Sequence, residues 1–337
     1  FTHAGTVFNS AKTFSVYHGT ENYSSEDFRR IAVHELGHVL GLAHETDTSI
    51  SAIMAPIIGN IELPTSDDIN GTTSLYASYA KAETALSIVS AVLPGSRSVQ
   101  TNVTATAFAT IINAGSQTAT GCSIAMSSST SASFSYQTAN ASNQLTGTPN
   151  TPVDIPAGAA QSFVISINPS APIDPANLGF DMACSNAAEA PITTGLNTLL
   201  FSASTTPTPD VVTLTATSTN DGYVHVSTAS GAGAFAVATV NVGVSGTLVG
   251  SADTGSATLP ITLNLCQTNP STGACISSVG PTVSVTIGPN ETPTFAVFVS
   301  SQGSIAPDPA NKRIFVRFKD NATGVTRGSS SVAVTTN

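Results

Sequence analysis

Two periods divide this chain. From about residue 83 onward, short runs alternate apolar and polar positions, as in "TAFATIINAG", "QSFVISI", "AFAVATVNVG" and "RIFVRF", and Gly, Pro, Ser and Asn separate them. A period of two buries one face of a strand, and a sheet with one wet face must pack on a second sheet, so this region predicts β-sandwiches. Residues 1 to about 82 read differently. Their two convincing helical stretches are "YSSEDFRRIAVHELGHVLGLAH" from Tyr23 and "LPTSDDINGTTSLYASYA" from Leu63. In the first, Ser24 or Ser25 is the expected helix start, with Glu26 and Asp27 in the first turn. Ile31, Leu36, Val39 and Leu40 supply its apolar faces.

The alternating region repeats itself. "AFATIINAG" from Ala107 answers "AFAVATVNVG" from Ala234, and "TPVDIPAGAAQSFVISI" from Thr151 answers "TVSVTIGPNETPTFAVFV" from Thr282. "DPAN" at Asp174 recurs at Asp308, and both aspartates, each before a proline, are expected to start turns. The kept order predicts two tandem copies of one fold, joined by the Pro- and Thr-rich "ASTTPTPD" that ends at Asp210. The expected organisation is a first domain over 1–82 that carries both helical stretches, and two immunoglobulin-like sandwiches over 83–205 and 206–337. That makes a multidomain chain of α+β and all-β parts. The copies resemble, at fold level, the tandem Ig-like modules of bacterial surface and secreted proteins.

Charge narrows the partners. Ten Lys and Arg against twenty Asp and Glu give a formal charge of −10, with no basic cluster to neutralise phosphates, so nucleic acid and anionic membranes are not expected partners. No apolar run reaches the roughly 18 residues of a membrane span. The chain opens on Phe1 without a signal-peptide pattern, and we expect a processed product or the ordered part of something longer. Of three possible pairings of the four cysteines, only Cys122–Cys184 with Cys266–Cys275 keeps each bridge inside a predicted domain. The alternative is four small buried hydrophobes. Bridges imply an oxidising compartment, hence a secreted, extracellular or cell-surface location.

The chemistry concentrates in "HELGHVLGLAH". His34 and His38 stand four apart on the predicted helix and project from one side. Gly41 breaks the helix where a left-handed residue turns the chain, and His44 can swing back as a third ligand. Three neutral imidazoles at about 2.0–2.1 Å leave the fourth position of a tetrahedral Zn2+ for water. Glu35 is placed to touch that water as general base and not the metal. His3, His18 and His225 lack ligand spacing to anything nearby and are expected to be ordinary side chains.

HExxHxxGxxH followed by Met54 in "SAIMAP" resembles the metzincin clan of zinc peptidases, most of all its matrixin branch. The resemblance implies a methionine-containing turn at Met54 beneath the zinc site, and a last catalytic-domain helix begun by Ser66 as N-cap with Asp67 and Asp68 in its first turn. It implies a zinc metalloendopeptidase acting on protein or peptide substrates. Two departures stand out. Glu45 follows the third histidine where matrixins usually carry Ser or Thr and the astacin branch carries Glu. Matrixins also place several strands and a helix before the zinc helix, whereas only "GTVFNSAKTFSVY" precedes it here, so we expect part of the catalytic domain. The competing expectation is an extracellular structural, adhesive or filament-forming surface protein with a vestigial zinc domain. It would attach to a cell surface, to matrix or to itself through the Ig-like modules or the N-terminal strand.

Overall fold

The computed structural model describes residues 6, 8–76 and 86–336, which fall in two compact units, Phe1–Glu83 and Thr84–Asn337. His3 and the expected boundary at 82/83 lie outside the described residues. None of the described helices is long and apolar enough to cross a membrane.

The first unit holds a short parallel pair, β1 (Phe14–Ser15) and β2 (Glu26–Asp27), followed by helices α1 (Phe28–Val39) and α2 (Ser66–Tyr76). Helix α1 starts later than its serines suggest. Glu26 and Asp27 extend to pair with Phe14 and Ser15, and the Asp27 side chain caps the helix by accepting from the Arg29 amide at 3.1 Å. In α2, Thr65 and not Ser66 is the cap. The Ile69 amide donates to the Thr65 carbonyl, and the Thr65 amide and hydroxyl donate to Asp68.

The face that α1 buries is not the leucine face. Its buried residues are Arg30, His34 and Gly37, spaced i, i+4, i+7, while Leu36 and Leu40 remain 56% and 45% exposed. An ion cage takes the place of a hydrophobic stripe. The fully buried Arg30 guanidinium donates to Glu21 Oε2 at 2.8 Å, to Glu62 Oε1 at 3.0 Å and to the Gly19 carbonyl, with Asp27 Oδ2 at 3.2 Å from Nε. Glu62 also accepts from Arg29 and from the Gly19 amide, both at 2.6 Å, and pairs with His18 Nδ1 at 2.6 Å. These contacts tie residues 18–21, α1 and residue 62 together. A buried cation of this kind holds only while its acids remain; removing one partner costs about 3–5 kcal/mol.

The second unit is all β. In its first half β3 (Ile88–Leu93), β5 (Ala105–Asn113), β9 (Ala160–Pro169) and β7 (Ala132–Ala139) form one sheet in that order. A second sheet runs β4 (Ser96–Gln100), β11 (Thr198–Ser204), β10 (Ile173–Ala183), β6 (Ala119–Met126) and β8 (Val153–Ile155). Both sheets feed one core that includes Ile111, Phe163, Ile165, Phe180, Leu199 and Phe201. The second half repeats the plan. Its sheets run β12 (Val211–Ala216), β14 (Ala232–Asn241), β18 (Thr294–Ser301), β16 (Ile261–Thr268), and β13 (Tyr223–Val226), β20 (Thr326–Thr336), β19 (Arg313–Asp320), β15 (Gly246–Asp253), β17 (Thr282–Ile287). Every strand has its counterpart nine places on, including the parallel pairs β4–β11 and β13–β20. This core gathers Val237, Leu248, Phe295, Val297, Ile314 and Phe318. The two "DPAN" segments differ: Asp308 begins a turn that accepts from Asn311, but Asp174 lies within β10 at a register irregularity. A strand, not a turn, is its setting.

Cys122 is bonded to Cys184 and Cys266 to Cys275, one bridge in each half. The predicted linker is tethered at its end. Asp210 is 3% exposed, pairs with Arg97 Nη2 at 2.9 Å and accepts from the Ser98 amide at 2.9 Å. Around it small polar residues form a seam between the halves. The Ser329 amide donates to Ser96 Oγ at 2.6 Å, Arg327 Nη1 to Ser98 Oγ at 2.8 Å, and Ser331 Oγ to the Gly195 carbonyl at 2.7 Å. The Ser96, Ser98 and Ser331 hydroxyls thus find partners across the seam, as their burial favours.

Candidate metal centre

The turn that ends α1 builds half the site. Gly41 has φ +91, its amide donates to the His38 carbonyl and the Leu42 amide donates to the Gly37 carbonyl, which is the Schellman pattern that closes a helix on a left-handed residue. That turn presents the Leu42 carbonyl to His38 Nδ1 at 2.8 Å and sends the chain back toward His44. His34 Nδ1 meets the Ile53 carbonyl at 2.7 Å. Against a carbonyl each Nδ1 must carry the proton, so both Nε2 atoms are left as lone-pair acceptors.

Those lone pairs converge. His44 Nε2 lies 3.2 Å from His34 Nε2 and 3.1 Å from His38 Nε2. Among the described residues this is the cluster of three whose ligand atoms could hold a metal ion. Acceptors brought this close repel unless a cation or a proton lies among them, and three imidazole nitrogens are a donor set that suits zinc. The residues present therefore fit such an ion. His34 is buried, His38 half-buried and His44 exposed, so the cluster opens to solvent on the His44 side. Glu35 is half-buried on the same helix, and its carboxylate makes no hydrogen bond or ion pair to the described residues.

Met54 supports the cluster from below. It is 2% exposed and its sulfur lies against Gly37, where an added Cβ would collide with it. The glycine between His34 and His38 is thus a packing requirement. The Met54 carbonyl in turn accepts from the Glu45 amide at 2.9 Å, which fixes the segment leaving His44.

Asp68 is the residue whose part the spacing does not reveal. From the start of α2 its carboxylate accepts from the backbone amides of Ile53 at 3.0 Å and Met54 at 3.2 Å. Burial alone would raise its pKa, yet the hydrogen bonds from Thr65, Ile53 and Met54 outweigh it and hold the group below its ordinary value. The available signal was an aspartate three residues after Thr65, a cap pattern that says nothing of the Met54 turn. Neighbouring Asp67 is pushed up, first by burial and then by the Glu45 charge beside it. His18 and His225 each pair with a carboxylate, Glu62 and Asp221, at 2.6 and 2.7 Å.

Residues 2–77 match the family model for matrixins. Over 60 residues the chain is 43% identical to interstitial collagenase of Equus caballus, a stretch covering 17% of this chain and 12% of that protein. Over 61 residues it is 46% identical to macrophage metalloelastase of Oryctolagus cuniculus, covering 17% and 13%. The chain thus spans about an eighth of the length of the curated relatives it matches. Among solved structures, a secreted serine protease VesC from Vibrio cholerae aligns with a TM-score of 0.22 at 14% identity, over 70% of this chain and 51% of that one, too slight a likeness to assign a fold. What resembles a matrixin is therefore the stretch that carries the three histidines, Glu35 and Met54.

Proposed function

We propose that this chain is a secreted, zinc-dependent endopeptidase whose metal domain, residues 1–82, precedes two immunoglobulin-like modules, 83–205 and 206–337. The observation that carries the reading is the convergence of the Nε2 atoms of His34, His38 and His44, with Nδ1 of the first two committed to backbone carbonyls. His34, His38 and His44 would hold the zinc. The chemistry an ion held there supplies is Lewis acidity toward water and toward a peptide carbonyl. Glu35, free of other partners, takes the proton of the attacking water and returns it to the departing amine. Met54 and Asp68 keep the imidazoles aimed, and the exposed His44 side is where an extended polypeptide gains access.

A second reading, an adhesive or filament-forming surface protein with a vestigial zinc domain, draws on the exposure of Leu36, Leu40 and Ile69 at 56%, 45% and 55%. Apolar groups left open in this way suit a partner surface.

Metal analysis with a cleavage assay on unfolded casein separates the two. The peptidase reading expects one zinc per chain, chelator-sensitive cleavage, and a Glu35→Ala variant that keeps zinc and loses cleavage. Zinc without cleavage, or cleavage indifferent to Glu35→Ala, would overturn it. Ordered multimers seen by electron microscopy in the absence of cleavage would favour the second.

A further inference from the structure

In a chain of formal charge −10, four of the ten Lys and Arg fall within residues 312–319, "KRIFVRFK". Strand alternation sends Ile314, Val316 and Phe318 into the core and Arg313, Phe315 and Arg317 to the opposite face. That face lines a cleft of about 990 Å³ to which both sandwiches contribute, Asn177 and Thr193 from the first, Asp253 and Ser256 from the second.

Arg313 is 7% exposed, yet its partners are all neutral. Nε donates to Ser331 Oγ at 2.9 Å, Nη1 to the Pro309 carbonyl at 2.8 Å and Nη2 to the Ser331 carbonyl at 3.3 Å. No carboxylate lies within ion-pair distance of it among the described residues, and two of the five N–H groups of its guanidinium remain for another acceptor. Burial depresses its pKa, the sign of a cation short of a counter-ion. Arg317 is held by Asp253 through Nε at 2.7 Å and stacks on the Phe315 ring at 4.8 Å, leaving Nη1 without a partner among the described residues. Phe315 is itself wedged between Gly195 and Gly255, at φ +80 and +63, where any Cβ would strike the ring. The platform is rigid before any ligand arrives.

We propose that this cleft binds an acidic glycan, its sugar carboxylate drawn to the cleft wall that carries Arg313 and Arg317 and its hydroxyls met by Asp253, Asn177 and Ser256. Two guanidiniums against one carboxylate leave a single positive excess, which suits one acid group among neutral polar ones. Amides, hydroxyls and one carboxylate acceptor match a ring of hydroxyl donors. An acidic peptide would set further carboxylates against Asp253, and the cleft is far larger than a lone carboxylate requires. The inference stands independently of the peptidase reading, because every group in it belongs to residues 177–331.

Titration calorimetry on the full chain, at fixed ionic strength, compares a galacturonic acid tetramer with a neutral galactose tetramer and with tetra-aspartate. Saturable one-to-one binding of the uronate, at least tenfold tighter than either comparison ligand, is expected. Arg317→Ala and the cleft-filling Ser256→Trp should each weaken it at least tenfold with circular dichroism and melting unchanged. Absence of uronate binding, equal binding of the neutral sugar, equal binding of tetra-aspartate, or affinity retained in both variants would overturn the assignment. Should one variant misfold, the other decides.

Discussion

Asp68 orients His34 through one intervening residue. The Asp68 carboxylate accepts the Ile53 amide at 3.0 Å, and the Ile53 carbonyl meets His34 Nδ1 at 2.7 Å. Outer-shell partners of this kind typically carry 10–100-fold in metal affinity. Asp68→Ala is therefore predicted to weaken zinc binding by about that range while His34, His38 and His44 all remain. Competition against a chromogenic chelator measures it. An affinity equal to the parent's would refute the link.

Gly37 and Met54 share one volume. A methyl at residue 37 must push the sulfur aside, and overpacking a tight contact costs about 1–3 kcal/mol. Gly37→Ala is expected to lower the thermal stability of the first unit and loosen its metal. Adding Met54→Ala to the same chain should return part of the loss, because the collision is then gone. A double variant no better than the sum of its parts would show that the two residues do not compete for space.

The ion cage predicts a response to acid. Glu62 is held down from 4.5 to about 2, chiefly by the Gly19 amide and then by His18 and Arg29. A carboxylate depressed in the folded state contributes stability that is present above its ordinary value and lost as pH falls through the folded one. The contacts joining residues 18–21 to α1 should therefore weaken as pH drops from about 4.5 toward 2, with protonated Glu62 no longer pairing Arg29 and Arg30. Glu62→Gln should flatten that part of the profile. Far-UV circular dichroism at helix wavelengths reports it, since both described helices belong to this unit. A profile identical in parent and variant would exclude Glu62 as the cause.

The two bridges should not weigh equally. Cys122–Cys184 closes a separation of 62 residues and Cys266–Cys275 one of 9. Chain-entropy reasoning assigns them about 4 and about 2.6 kcal/mol. Paired Cys→Ala replacements, followed by urea unfolding, should destabilise the first half of the second unit more than the second half. The reverse order would show that strain or residual structure outweighs loop entropy here.

Local spacing determined what depends on local geometry. His34 and His38 meet because four residues make one helical turn, Gly41 ends α1 because a left-handed turn needs no Cβ, and alternation placed Phe163, Ile165 and Ile167 on one buried face. The duplicated runs at Ala107 and Ala234 fall in β5 and β14, which hold the same place in their sheets. What alternation and spacing could not contain was the identity of the partner brought from far along the chain. The apolar residues of α1 suggested a leucine face, yet Glu21 and Glu62 reach Arg30 from either side in sequence and turn the Arg30–His34–Gly37 face inward. Asp68 looked like a helix-start charge until the Met54 turn folded beneath α1. Asp210 looked like the end of a tether until Arg97, more than a hundred residues earlier, enclosed it. Periodicity fixes which way a side chain points. Only the closed fold decides which charge is waiting there, because a buried charge is tolerated only where distant segments supply its counterpart.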